Sequence, residues 1–202
     1  FASKKYYTLK NEYVEKPTAH HTFAARKDIS IEDSMRNSLF IACAWDKVIR
    51  RSILVDNNIN FVERQLSEDI EWCCKLLLLD LKYACIDGIV HVYRQQNASS
   101  ITANITNKNL SDIYSVVCKY VKIAEDTNNS ALRNFLALEA ILWMSITNYA
   151  TGEEGDRLIK NMGKFFYLTR YNLYPRVNMV SKIKFLGYNI VRKLLIVLHK
   201  LH

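Results

Sequence analysis

Turn-forming residues are scarce in this chain, with five glycines and two prolines (Pro17 and Pro175) among 202 residues. So little punctuation argues against a loop-rich or short-stranded architecture and predicts long helices. No Cys-x-x-Cys occurs. The five cysteines (Cys43, Cys73, Cys74, Cys85 and Cys118) are odd in number, and two of them sit inside an apolar helical pattern. That speaks against a disulfide framework or a zinc site and predicts reduced thiols packed as small apolar groups in a cytosol. No apolar run reaches the ~18 residues of a membrane-spanning helix. The Asn-x-Ser/Thr triplets at Asn97, Asn104 and Asn128 would matter only on a secretory route, and no signal peptide is visible. The first residue is Phe1 rather than Met, from which an N-terminal portion of a longer protein is expected to be missing.

Acidic residues are absent from the last part of the chain. Ten basic residues and no Asp or Glu follow Asp156; since the whole chain carries +8, residues 1–156 carry −2. The basicity belongs to the tail, and the tail's partner should be anionic. The basic residues there alternate with aliphatics and no nucleic-acid-binding module is recognisable, which argues against nucleic acid. Residues 177–201 place Val180, Ile183, Ile190, Val191, Leu194, Leu195, Leu198 and Leu201 along one helical face, with Lys182, Lys184, Arg192, Lys193 and Lys200 on the rest. Such a helix either closes a helical subdomain or lies on an anionic membrane surface; the lack of acids favours the membrane.

What is present reads as a helix-rich α+β chain. Residues 1–30 form loop or partial strand. Ser30 starts a helix with Glu32 and Asp33 in its first turn, running through the apolar stretch to Trp45, and a short helix ends near Asn57 and Asn58. Ile70, Cys73, Cys74, Leu77, Leu78 and Leu81 fall on one face of a helix that stops around Lys82, with Glu71 and Lys75 as an ion pair outside that face. Residues 83–95 read as one strand or two short ones. His91, between Val90 and Val92, reads as a core or lumen-facing residue in preference to a metal ligand. Four helices are expected after that, over 110–126, 130–150, 153–171 and 177–201. The composition divides the chain into an α/β part, residues 1–105, and a helical part, residues 106–202.

The acidic pair Glu68-Asp69 has two local readings. Ser67 is a good helix N-cap, and first-turn acids meet the helix dipole favourably, by about 0.3–1 kcal/mol each. A carboxylate at a helix start beside a cleft can equally serve as a general base.

The surrounding motifs favour chemistry. In order, the chain shows Trp45-Asp46-Lys47, Arg50-Arg51, Asn58-Ile59-Asn60-Phe61, Glu63, Glu68-Asp69, a Leu-rich helix, Tyr93-Arg94 and Ser100-Ile101-Thr102. Over about residues 41–102 this resembles the second half of the catalytic domain of family 2 glycosyltransferases of the bacterial polysaccharide type, which have the GT-A fold. Departures from the family pattern are Val62 for Pro, Arg64 for Gly, Ser67 for Tyr and Asp46 for Asn. The first three precede the acids and put acceptor preference in doubt.

The resemblance implies an inverting transfer of sugar from a nucleotide-sugar to a saccharide or lipid-linked saccharide acceptor, in surface or capsular polysaccharide synthesis. Asp69 corresponds to the base and Glu68 would orient acceptor or loop. Arg94 would approach the diphosphate leaving group, where a cation offsets developing charge. Lys47, Trp45 and Ser100 complete the substrate-binding candidates; a solvated Lys47 and core-packed Trp45 and Trp72 are the plainer readings of those three residues. The family's divalent ion, magnesium or manganese, is held by an Asp-x-Asp motif that does not occur here. No metal ligands are therefore expected in this chain, the nucleotide-binding half is expected to be missing, and the chain alone is expected to be inactive. The location that follows is cytoplasmic, peripheral on the inner face of the membrane. The alternative reading is a non-catalytic helical module of the membrane surface.

Overall fold

The computed structural model describes residues 3–7, 13–14, 26–86, 89–94 and 104–200, with side chains over 28–86 and 104–200. It is a helix-rich α+β arrangement. Strand β1 (Ser3–Tyr7) lies between β2 (Tyr13–Val14), antiparallel, and β5 (Ile89–Arg94), parallel. Strand β3 (Arg26–Ile29) pairs antiparallel with β4 (Tyr83–Cys85). The helices are α1 (Ile31–Arg36), α2 (Arg51–Asp56), α3 (Glu68–Leu77), α4 (Asn107–Asp126), α5 (Ser130–Ser145), α6 (Gly152–Met162), α7 (Pro175–Ile183) and α8 (Tyr188–Lys200).

Helix α5 is the hub. Its buried residues include Leu132, Phe135, Leu136, Leu138, Ile141, Trp143 and Met144, and these point all round the helix. A helix apolar on every side must be enclosed, and α3, α4, α7 and α8 all pack against it. One hydrophobic cluster joins Met35, Phe40, Ile70, Cys73 and Leu76 to Leu110, Phe135, Ile141, Val177, Val191 and Leu195. Buried polar groups stitch this core. Tyr174 Oη donates to the Phe40 carbonyl at 2.6 Å, across 134 residues of sequence, and Trp143 Nε1 donates to the Leu110 carbonyl at 2.8 Å. All five cysteines are free, with Cys73, Cys74 and Cys85 buried.

Several sequence expectations need correction. Ser30 does cap α1, its hydroxyl accepting from Asp33 N–H at 3.0 Å. However, α1 ends at Arg36, because Ser38 takes a left-handed φ of 54°, and residues 39–46 form loop. Helix α3 stops at Leu77 rather than near Lys82. Ser67 holds the N-cap position, but with φ 58° and no side-chain cap bond. Glu71 is buried and pairs not with Lys75 but with Lys119, at 2.7 Å, while Lys75 donates to the Asn60 carbonyl at 2.8 Å. The final helix breaks at Gly187, whose φ of 81° is incompatible with helix, and Lys184–Leu186 tighten into a 3-10 turn. Of the face predicted for residues 177–201, Val180, Val191 and Leu195 are buried in the core, whereas Ile190, Leu194 and Leu198 are exposed; Leu201 lies outside the described residues.

Candidate functional site

Helix α3 carries the acidic pair, and α4 and α5 hold it at three points. Before its start, Leu66 N–H donates to Asp112 Oδ2 of α4 at 2.8 Å. In its middle, Glu71 accepts from Lys119 Nζ at 2.7 Å and from Tyr120 Oη at 3.3 Å. At its end, Asn129 Nδ2 donates to the Leu77 carbonyl at 2.8 Å, while Asn129 Oδ1 caps α5 through Leu132 N–H. The start of α3 is thus placed by the helical part of the chain, and the residues ahead of it are strained: Arg64 and Ser67 both have φ near 60° (59° and 58°). Non-glycine residues held in that region cost on the order of 1–3 kcal/mol each and cluster at functional sites.

Asp69, in the first turn, is half-buried, and its Oδ2 accepts from Ala44 N–H at 3.0 Å. Burial raises its pKa above the ordinary 3.8; the Ala44 hydrogen bond opposes this, adjacent Glu68 adds to it, and Lys47 opposes it. A carboxylate moved in this direction is a better base. Only Oδ2 is engaged among the described residues, which leaves Oδ1 for a substrate hydroxyl. Gln65 Nε2 is buried in the loop ahead of Asp69 with no hydrogen-bond partner there.

The Ala44 amide is set by Lys47. Far from being solvated, the Lys47 side chain is 5 % exposed. Its Nζ donates at 2.7 Å to the carbonyls of Ile41 and Cys43 and to Asp46 Oδ1, and it sits 4.9 Å from the centre of the Phe40 ring. Three donors on one ammonium therefore fold residues 41–47 around the cation and aim Ala44 N–H at Asp69. The three donors of Lys47 are thus engaged within its own loop. Trp45 lies half-buried in the same loop. Arg94 ends β5, where only its backbone is described; Ser100 lies outside the described residues. The structure thus brings together Trp45, Lys47, Glu68 and Asp69.

A feature unremarked in the sequence is the stack of Phe61 on Trp72, with ring centres 5.5 Å apart and 16° between planes. Trp72 is buried and Phe61 half exposed. They wall a groove of about 480 Å³ with Arg51, Leu54, Val55, Asn58, Ile59 and Asn60. A second hollow, of about 100 Å³, is lined by Phe40, Lys47, Leu76 and Tyr83. Asp69 lines neither, but Trp72 follows it by three residues on α3, so the groove begins about one helical turn away.

Glu139, on α5, is a group that sequence reasoning missed. It is fully buried, its Oε1 has no partner among the described residues, and burial lifts its pKa to about 8 despite the opposing charge of Lys47. A carboxyl that titrates at 4.5 when unfolded and near 8 when folded stabilises the fold fully below pH 4.5, and that contribution is lost as pH rises through 8. Glu139→Gln should therefore flatten the loss of thermal stability across this interval and melt above the parent protein at alkaline pH. Parallel melting curves for the two proteins from acid to alkaline pH would show that Glu139 is not buried neutral.

Among the described residues no three His, Cys, Asp or Glu side chains gather as metal donors. Asp46 accepts from Lys47 Nζ and Asp69 from the Ala44 amide. Comparison with protein-family models, characterised proteins and solved structures finds no match to this chain.

Proposed function

We propose that this chain forms the acceptor-side half of an inverting glycosyltransferase of the GT-A type, with Asp69 as the base. Asp69 accepts the proton of an acceptor hydroxyl through Oδ1 while that oxygen attacks the anomeric carbon of a nucleotide-sugar; the bond to the nucleoside diphosphate breaks on the opposite face. Ala44 N–H and the capped loop around Lys47 hold the carboxylate in place, so little reorientation is needed at the moment of transfer. Glu68 keeps Asp69 basic by its adjacent charge. The groove beside Trp72 gives an acceptor saccharide an apolar ring face at Phe61, with the amides of Asn58 and Asn60 at its edge. Donor binding and the divalent ion belong to a nucleotide-binding half outside these residues, and no step here runs through the metal.

The observation that carries the reading is the half-buried, amide-held carboxylate of Asp69 at the end of a strained loop. Arg64 adds support. It stands where the resembling family has Gly, and its φ of 59° is in the region that glycine occupies at least cost. The test is the stereochemistry of transfer, measured by NMR on a protein that joins this chain to its donor-binding half. The product should carry the anomeric configuration opposite to that of the donor. Retention of configuration, or transfer by this chain alone, would overturn the assignment.

A further inference from the structure

Helix α8 is apolar on two faces, and among the described residues only one of them has a partner. Val191 and Leu195 turn inward and join the core around α5. Tyr188 Oη anchors the start of the helix by donating to the Ile159 carbonyl at 2.8 Å, and Arg192 Nη1 donates to Thr147 Oγ1 at 3.0 Å. That fixes the rotation of α8 about its axis. Ile190, Leu194, Val197 and Leu198, spaced i, i+4, i+7 and i+8, then form a second stripe that is 52, 42, 56 and 42 % exposed. Just before it, the break at Gly187 leaves Phe185 in the 3-10 turn 80 % exposed. At 100° per residue, Lys193 and Lys200 run along one border of the stripe, and both are exposed, as are Lys182 and Lys184 ahead of it.

An aliphatic stripe of this kind on a free surface marks an interaction site. What it meets is constrained by charge. No acidic residue follows Asp156 in the sequence, and among the described residues Lys182, Lys184, Lys193 and Lys200 make no salt bridge. A face that is apolar along its centre, cationic at its rim and free of acids matches the boundary of an anionic bilayer, where aliphatic side chains enter the acyl edge and ammonium groups stay among the headgroups. We infer that the outer face of α8, with Phe185, docks this protein on an anionic lipid surface. No helix among the described residues is long and apolar enough to cross a membrane, so the contact is interfacial. It goes beyond the sugar-transfer reading and does not depend on Asp69.

The test is flotation of the 202-residue chain with vesicles of phosphatidylcholine, with or without phosphatidylglycerol, followed by sedimentation without lipid. The chain should float with the anionic vesicles, stay behind with the neutral ones, and lose binding as salt is added. Leu194→Glu/Val197→Glu alters only exposed positions and should weaken partition roughly tenfold or more, with the circular dichroism spectrum and melting temperature unchanged. Lys193→Gln/Lys200→Gln should weaken it about fivefold per lysine, on anionic vesicles only. A chain that fails to float with anionic vesicles overturns the inference, as does a glutamate variant that floats like the parent. A lipid-free dimer abolished by the glutamates, without vesicle binding, assigns the stripe to self-association and overturns it too.

Discussion

Asp69→Asn should lower sugar transfer by about 10²–10⁴-fold in a protein that joins this chain to its donor-binding half, with the fold intact. Asparagine keeps the shape of the side chain and an oxygen for the Ala44 N–H, which Asp69 Oδ2 now accepts at 3.0 Å. What is lost is the ability to take a proton. Donor affinity should not change, because the side chain acts on the acceptor. The parent's rate should rise with pH through the raised pKa of Asp69, since only the carboxylate is a base, and that acid limb should vanish with the substitution. Glu68→Gln provides the control on electrostatics: removing the adjacent negative charge lowers the Asp69 pKa and moves the limb to lower pH. Stability moves in a defined direction as well. A carboxyl with a raised folded pKa stabilises less as pH rises through that value, so Asp69→Asn should be neutral or slightly stabilising at neutral pH. Retained transfer, or a large fall in melting temperature, would remove Asp69 as the base.

The start of α3 was legible because its signals are local. Acids followed by an i, i+3, i+4 apolar face mark the start of α3, and the start lies at Glu68 as read. The turn at Asn57 and the existence of α4 to α6 were legible for the same reason, but α5 ends at Ser145 rather than near 150, and α6 ends at Met162, where a 3-10 stretch to Arg170 replaces the helix expected to 171. The misreadings share another cause, which is that distant partners override local preference. Glu71 has Lys75 one turn away, yet the tertiary fold brings up Lys119 and Tyr120 from α4, and a buried carboxylate needs both. Residues 39–46 have apolar content fit for a helix, but the carbonyls of Ile41 and Cys43 both bond to Lys47 Nζ, and Ile41 accepts besides from Cys43 N–H in a tight turn at 2.8 Å rather than from an amide one helical turn on. Nothing in the spacing of the sequence announces that. Gly187 was a visible break signal within an otherwise periodic stretch, and the periodicity outweighed it. The consequence is functional, because the break and the Tyr188 anchor set which aliphatics of α8 are buried and which are displayed.

Lys47→Met should be the most destabilising single change in the site, at about 3–5 kcal/mol, the scale for breaking a buried ion pair by removing one partner. The Asp46 and Lys47 side chains are 4 and 5 % exposed and 2.7 Å apart. Methionine fills much the same volume, so lost packing is small and the effect reports charge and hydrogen bonds. Asp46 loses its ion-pair partner, and the carbonyls of Ile41 and Cys43 each lose their bond to Lys47, though Ile41 still accepts from Cys43 N–H at 2.8 Å. For a chain of this size, a loss on that scale lowers the melting temperature by roughly 10 °C. A solvated lysine, the plainer reading of the sequence, predicts no more than about 0.5 kcal/mol for the same change. Asp46→Asn/Lys47→Met separates the terms: if the stranded charge dominates, the double variant is more stable than Lys47→Met alone, a non-additivity expected only for groups in contact. The loop also supplies the Ala44 amide. Lys47→Met therefore loosens the hold on Asp69 and removes the cation that opposes its raised pKa, so the acid limb of transfer should shift to higher pH. A melting temperature within a degree or two of the parent would show that Lys47 points to solvent and that residues 41–47 are held by something else.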